Sequence, residues 1–261
     1  MGARWLMRWI VMAGSMALHI TAQAGLEQTV IAAKPSLVAV GSFDALASPR
    51  FQFRGTGFAV TDGRHIVTCA HVIARPPNTD VAPRWMVAVP RARQAPELRT
   101  ATVLATDTEH DLAVLVIEGE PLPALKLAGA GVAREGRDIA LIGFPLGSAL
   151  GLAPVTHRGI VSAISPVAIP SATARQLDPR VANSLRNGSF DILQLDATAY
   201  PGNSGGPVLD IDSGSVVGIV NMVLIKGTKE SALSQPTGIT YAIPSELAIP
   251  LTVMRTAETP R

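Results

Sequence analysis

A single cysteine, Cys69, in 261 residues excludes an intramolecular disulfide framework and any zinc site built from cysteines alone. Charge of one sign is also missing. The formal balance is +2, from 22 basic and 20 acidic side chains, and Arg4 and Arg8 fall in a stretch expected to be removed, leaving 20 against 20. Neither a broad basic surface for phosphate backbones nor a polyanionic tail has support in that balance, so no nucleic-acid partner is expected. No apolar run reaches the about 20 residues that a helix needs to cross a bilayer, so no stable membrane span is expected. His-Glu-x-x-His, comparable ligand clusters, phosphate loops and dinucleotide fingerprints are absent, and the reading includes neither a metal nor a cofactor. No repeat of 20 to 50 residues is visible.

What is present begins with a leader. Arg4 and Arg8 precede the apolar stretch Trp9 to Ile20, and Ala22-Gln-Ala24 then gives the small-x-small pattern of a signal-peptidase site. Residues 1–24 are therefore expected to be a signal peptide, leaving about 237 residues to fold. An exported protein with one thiol suits a bacterial periplasm, and the expected location is periplasmic or secreted.

The remainder is 48% hydrophobic over the whole chain, with 23 Gly and 20 Pro, which fits a β-rich core interrupted by turns. From Val38 short apolar runs alternate with turn chemistry. Phe58 to Val60 and His65 to Cys69 flank Asp62-Gly63, a strong hairpin signal. Further strands are expected at Trp85 to Val89, Thr102 to Ala105, Ala113 to Ile117, Asp138 to Ile142, Val155 to Ser162, Ile192 to Gln194, Pro207 to Leu209, Val216 to Leu224 and Gly238 to Ala242. Many short strands joined by Gly and Pro turns predict barrels or sandwiches. Ser245 and Glu246 before Leu247, Ile249 and Leu251 predict a short closing helix, with Pro250 as a kink or stop. Arg75 to Arg99 and Ser165 to Ser189, rich in Pro with Arg or Ser, read as inserted exposed loops.

The most informative stretch is Asp196-Ala-Thr-Ala-Tyr-Pro-Gly-Asn-Ser-Gly-Gly-Pro207. A serine in a glycine-rich bend can present its hydroxyl while the backbone N–H groups of Gly202 and Ser204 converge on the oxyanion formed when that hydroxyl attacks a carbonyl. Serine needs a base, and the base needs a third group to orient it. The histidines are His19, in the leader, then His65, His71, His110 and His157, so none follows Ser204. That excludes the Gly-x-Ser-x-Gly elbow of α/β-hydrolases, whose order is Ser, acid, His. An order of His, Asp, Ser is open: His71 ends a strand at Ile66-Val-Thr-Cys-Ala-His71, and Asp111 stands just before the apolar run Leu112 to Leu115. Each alone reads as a structural residue; the three together, in one order, point to nucleophilic catalysis.

At these residues the chain resembles the trypsin-like, chymotrypsin-fold serine proteases, and within them the bacterial HtrA/Deg group. The resemblance also rests on Gly55-Thr-Gly-Phe58, Asp111-Leu-Ala-Val-Leu115, Ile142-Gly-Phe-Pro-Leu-Gly147, Thr156-His-Arg-Gly-Ile-Val-Ser162, Gly202-Asn-Ser-Gly-Gly-Pro207, Val217-Gly-Ile219 and Gly238-Ile-Thr-Tyr-Ala-Ile-Pro244. It implies an all-β fold of two six-stranded antiparallel barrels with a short C-terminal helix, in one protease domain over 25–261. The N-terminal barrel would occupy about 36–125 and the C-terminal barrel about 135–245, with the site in the cleft between them.

Carried over by position, His71 is the implied general base and then acid, Asp111 holds its tautomer, and Ser204 forms the acyl-enzyme. Gly202 and Ser204 form the implied oxyanion hole, and the strand near Asn221, Met222 and Val223 pairs with the substrate backbone. Thr198, six residues before Ser204, falls at the floor of the P1 pocket; being uncharged, it predicts cleavage after small or medium apolar residues. Asn203 replaces the aspartate that pairs with a new amino terminus in digestive relatives, so activation by that route is not expected. Cys69 reads as a buried filler. The 57 residues after Ser204 finish a barrel without adding the PDZ domain typical of HtrA proteins. The implied activity is an exported serine endopeptidase acting on exposed or unfolded polypeptide. The alternative is a catalytically silent or tightly regulated peptide-binding module of the same fold. The sequence leaves the oligomeric state open.

Overall fold

Alternating apolar positions with Gly, Pro and Asp turns give twelve described strands, and their hydrogen bonding closes two barrels, each antiparallel at every described strand pairing. A computed structural model describes residues 25–75, 82–145, 147, 151–166, 190–221 and 238–253. The expected leader lies outside them. Strands β1 (Leu37–Phe43), β2 (Phe51–Val60), β3 (His65–Cys69), β4 (Arg84–Arg91), β5 (Gln94–Asp107) and β6 (Leu112–Ile117) form the first barrel in the order β1-β2-β3-β6-β5-β4. Strands β7 (Asp138–Gly143), β8 (Val155–Pro166), β9 (Asp191–Asp196), β10 (Pro207–Asp210), β11 (Val216–Val220) and β12 (Ile239–Pro244) form the second in the order β10-β11-β12-β9-β8-β7. This is the two-barrel, chymotrypsin-like architecture.

The core explains the closure. Leu37, Val38, Val40, Phe58, Ile66, Leu112 and Leu115 are wholly buried in or beside the first barrel, and Ile139, Leu141, Leu195 and Val208 in the second. Each such side chain contributes about 1.5–3 kcal/mol by leaving water. The first cluster runs on through Ala140, Ile142, Phe144, Leu209 and Ile219, so the seam between the barrels is itself core. The connecting segment pairs with both: Leu125 N–H donates to Ala59 O (2.8 Å) and Ala128 N–H to Val216 O (2.8 Å).

The hairpin at Asp62-Gly63 is present, but Val60 pairs with His65, so the loop is four residues, 61–64, with Asp62 Oδ1 accepting from Arg64 N–H (2.9 Å). Within 75–99, residues 84–91 and 94–99 are strand, not loop. Strand β4 and the start of β5 occupy most of that range, because Met86, Val87, Ala88 and Val89 enter the core while β4 pairs with both β1 and β5. The arginines that suggested a loop lie on the outer face, Arg84 over the Phe43 ring and Arg91 and Arg99 around Glu97. Of the second expected loop, 167–189 lies outside the described residues, and so does 222–224 of the strand expected to reach Leu224.

Helix α1 (Leu26–Ala33) was not signalled by the sequence pattern. It is short and lacks a side-chain cap, and Thr29 Oγ1 ties it to the second barrel by donating to Ile211 O (2.9 Å). The closing helix is a 3-10 turn, Ser245–Ala248, running into α2 (Ile249–Thr252). Pro250 neither kinks nor stops it, because it sits in the first turn of α2, where no N–H is needed.

Candidate active site

His71 is delivered by β3. The strand ends at Cys69, and a 3-10 turn over Ala70–Ile73 swings the imidazole outward while Val72 and Ile73 anchor the turn in the core. Asp111 is delivered by the β5–β6 turn. Asp107 Oδ1 accepts the N–H groups of Glu109 and His110 (both 3.0 Å), and the chain then reverses through Asp111 at φ 55°. Aspartate is among the few side chains that tolerate that left-handed conformation.

The two segments lock together through three hydrogen bonds. Ala70 N–H donates to Asp111 O (3.0 Å), His71 N–H donates to Asp111 Oδ1 (2.8 Å), and His71 Nδ1 meets Asp111 Oδ2 at 2.6 Å. Asn221 Nδ2 also donates to Asp111 Oδ2 (2.9 Å). A carboxylate only accepts, so Nδ1 carries the imidazole proton and Nε2 keeps its lone pair.

Ser204 stands in the second of two consecutive turns. Asn203 N–H donates to Tyr200 O (2.9 Å), closing Tyr200-Pro201-Gly202-Asn203 with Pro at the second position and Gly202 at φ 102°. Gly206 N–H donates to Asn203 O (2.9 Å), closing Asn203-Ser204-Gly205-Gly206 with Gly205 at φ 84°. A positive φ at the third position alone defines type II in both. The turns consume the N–H groups of Asn203 and Gly206, and Gly205 N–H goes to Val220 O (2.9 Å). The orientation of the Gly202 N–H is set by the Pro201–Gly202 peptide. The next peptide, Gly202–Asn203, is held at both ends, by Tyr200 O and by Thr56 Oγ1.

The serine turn is pressed against β2 and β3. A Cβ on Gly205 would stand 2.2 Å from Thr56 O and 3.1 Å from Cys69 N, and one on Gly55 would stand 2.9 Å from Ser204 O. Thr56 N–H donates to Ser204 O (2.9 Å), and Cys69 Sγ donates to Val220 O (3.3 Å), the same carbonyl that receives Gly205 N–H. Ser204 is 5% exposed.

Residues 55–219 match the trypsin-like peptidase domain family. The chain belongs to the trypsin-like peptidase family. Within it the likeness is HtrA-like. The chain is 33% identical over 196 residues to a probable periplasmic serine endoprotease DegP-like of Chlamydia pneumoniae, covering 75% of this chain and 33% of that protein. It is 30% identical over 190 residues to the mitochondrial serine protease HTRA2 of Drosophila pseudoobscura pseudoobscura, covering 73% and 36%. The chain thus spans about a third of the length of these relatives. Among solved structures, the HtrA-type protease AlgW with tripeptide superposes at a TM-score of 0.62 with 26% identity, covering 87% of this chain and 62% of that one.

The other expected site residues are less uniform. Thr198 follows β9 and lines a cavity of about 370 Å³ with Asp138, Arg158, Gly159, Ile160, Asp196 and Ala197, in which Arg158 and Asp138 are paired at 3.0 Å. Met222 and Val223 lie outside the described residues. Asn221 was expected to serve a substrate strand. Its N–H donates to Tyr241 O (2.9 Å), and its side chain also supports Asp111. A polar residue directly after the five buried apolar-and-glycine positions of β11 was the signal available for that second role.

Among the described residues, one trio has metal-ligating atoms close together: Cys69, His71 and Asp111, all within 4.8 Å of one another. Burial, and after it the Asp111 charge, push the Cys69 thiol well above its ordinary pKa, which opposes the thiolate a metal would need.

Proposed function

We propose that this chain is a serine endopeptidase hydrolysing exposed or unfolded polypeptide, with His71, Asp111 and Ser204 as its catalytic residues. His71 Nε2 takes the Ser204 hydroxyl proton as Oγ attacks the scissile carbonyl. The N–H groups of Gly202 and Ser204 receive the oxyanion, and His71 then returns the proton to the leaving amine. Water repeats the cycle on the acyl-enzyme, releasing the acid product and restoring the hydroxyl.

The single observation that carries this reading is the grip of Asp111 on His71 through both backbone and ring, 2.8 and 2.6 Å, which fixes the tautomer needed by a base. Gly202 at positive φ in a type II turn supports a formed oxyanion hole over the silent, peptide-binding alternative. The uncharged Thr198 beside Ala197 and Ala199 supports cleavage after small or medium apolar residues. The N-terminal leader pattern and the periplasmic names of the DegP-like relatives support export to a periplasm or beyond.

The test is digestion of an unfolded polypeptide and a peptide library, with cleavage sites read by mass spectrometry. Cuts after small or medium apolar residues such as Ala and Val, none after Lys or Arg, and none with Ser204→Ala are expected. A folded protein that binds peptide equally well as wild type and Ser204→Ala, without turnover, contradicts the reading in favour of the silent module.

A further inference from the structure

Thr56 lies wholly buried in β2, the first barrel's strand nearest the serine turn. Its N–H donates to Ser204 O (2.9 Å), and its carbonyl accepts from Thr68 Oγ1 (2.7 Å). Its hydroxyl donates to Gly202 O (2.6 Å) and accepts from Phe144 N–H (3.1 Å). One residue of the first barrel therefore holds, from behind, the carbonyls of both residues whose N–H groups are assigned to the oxyanion.

The hydroxyl bond is the discretionary part of this clamp. Glycine accepts either sign of φ, so Gly202 does not by itself hold its turn at +102°, and Pro201 fits the second position of type I and type II alike. The sequence Pro-Gly thus leaves the orientation of the Gly202 N–H open to its surroundings. The packing is tight: a Cβ on Gly202 would stand 2.3 Å from Phe144 O, and one on Gly143 would stand 3.0 Å from Thr56 Oγ1. Without the hydroxyl, Gly202 O and Phe144 N–H would both lose their partner inside the seam; the Gly202–Asn203 peptide anchors one end of the Pro201–Gly202 peptide, so a turn that shifted to find them other partners would carry the Gly202 N–H with it.

We propose that Thr56 is a positioning residue for the oxyanion hole, its hydroxyl holding the 200–203 turn in the form that presents the Gly202 N–H. The proposal rests on the peptidase reading above and adds the residue that controls its competence. It acts through Gly202 and touches neither substrate nor Ser204 Oγ.

The test compares Thr56→Val, which keeps the shape and removes the hydroxyl, with Thr56→Ser, which keeps the hydroxyl. Losing one oxyanion donor costs about 10² to 10³ in kcat. Thr56→Val is expected to lower kcat by about 10- to 100-fold with KM within about threefold, the signature of an interaction used in the transition state. Inhibition by a peptidyl boronate, whose tetrahedral adduct places an oxygen in the hole, should weaken by a similar factor. Binding of an uncleaved peptide in a Ser204→Ala background should not change. Thr56→Ser should recover kcat to within about threefold of wild type. Should Thr56→Val not fold, Thr56→Ala removes the same hydroxyl without adding volume.

Wild-type kcat in the hydroxyl-less variant, or a Thr56→Ser as impaired as Thr56→Val, overturns the proposal. So does equal weakening of boronate and uncleaved peptide. A wild-type protein that neither cleaves peptides nor takes the boronate on Ser204 overturns the peptidase reading instead. The clamp is then judged from a crystal structure of Thr56→Val: Gly202 turned to negative φ supports it, and Gly202 still near +102° refutes it.

Discussion

Replacing Asp111 by Asn exchanges one carboxylate oxygen for an NH2 and leaves the outline of the side chain unchanged. The surroundings decide which oxygen is lost. If the NH2 took the place of Oδ1, it would face the backbone N–H of His71, now 2.8 Å away, and neither donor could turn aside. A buried donor left unsatisfied costs about 1–3 kcal/mol. If it took the place of Oδ2, it would face His71 Nδ1 and Asn221 Nδ2, at 2.6 and 2.9 Å. Both of those can adapt: Asn221 by rotating its amide, the imidazole by carrying its proton on Nε2. The second arrangement is favoured by about the cost of the first, and it leaves His71 unable to accept the Ser204 proton. The expected loss in kcat is about 10⁴ with the fold intact. Peptide hydrolysis measured beside circular dichroism checks this, and a folded Asp111→Asn keeping more than about a tenth of wild-type kcat would refute the tautomer argument.

Gly202→Ala should lose at least about 10² in kcat and about 1–3 kcal/mol in stability, because a Cβ there would stand 2.3 Å from Phe144 O at φ 102°; unchanged activity and Tm would contradict it. Cys69, wholly buried and with its thiol pushed far up by burial, should resist alkylation in the native protein and react fully after unfolding, and Cys69→Ala should keep activity within about tenfold. Rapid native labelling would show the site to be open. Burial holds the His157 imidazole below its ordinary value of 6.5. The unfolded chain therefore takes up that proton first as pH falls, and stability drops below about pH 6.5. In urea unfolding, His157→Gln should gain on wild type between about pH 7.5 and about pH 5; a difference that does not change with pH falsifies this.

Much of the fold was legible because its signals are local. Asp62-Gly63 between two apolar runs and the glycine-rich stretch before Pro207 each report a turn through backbone chemistry, and the strands around them follow from alternation. The arginines of β4 and β5 misled because composition does not tell an exposed loop from the surface positions of a strand that also buries Met86, Val87 and Ala88. Helix α1 left little trace, since it is held by tertiary contacts: Leu26, Val30 and Ala33 pack on the larger core cluster, and Thr29 bonds to Ile211 O. His71, Asp111 and Ser204 stood out by residue type and order. The supporting shell did not: Asn221 reaches Asp111 across 110 positions and Thr56 reaches Gly202 across 146, and contacts that long depend on how the barrels dock. Gly55-Thr-Gly-Phe58 marked the place of Thr56 without revealing that its hydroxyl crosses the seam.

The central claim is that Ser204 is an activated nucleophile facing a formed oxyanion hole. Treatment of the folded protein with a fluorophosphonate, followed by mass spectrometry of the digested chain, tests it directly. The account predicts one adduct per chain, on Ser204, absent in Ser204→Ala and strongly slowed in Asp111→Asn. A folded wild-type protein that stays unmodified, or carries the label on another residue, would contradict it.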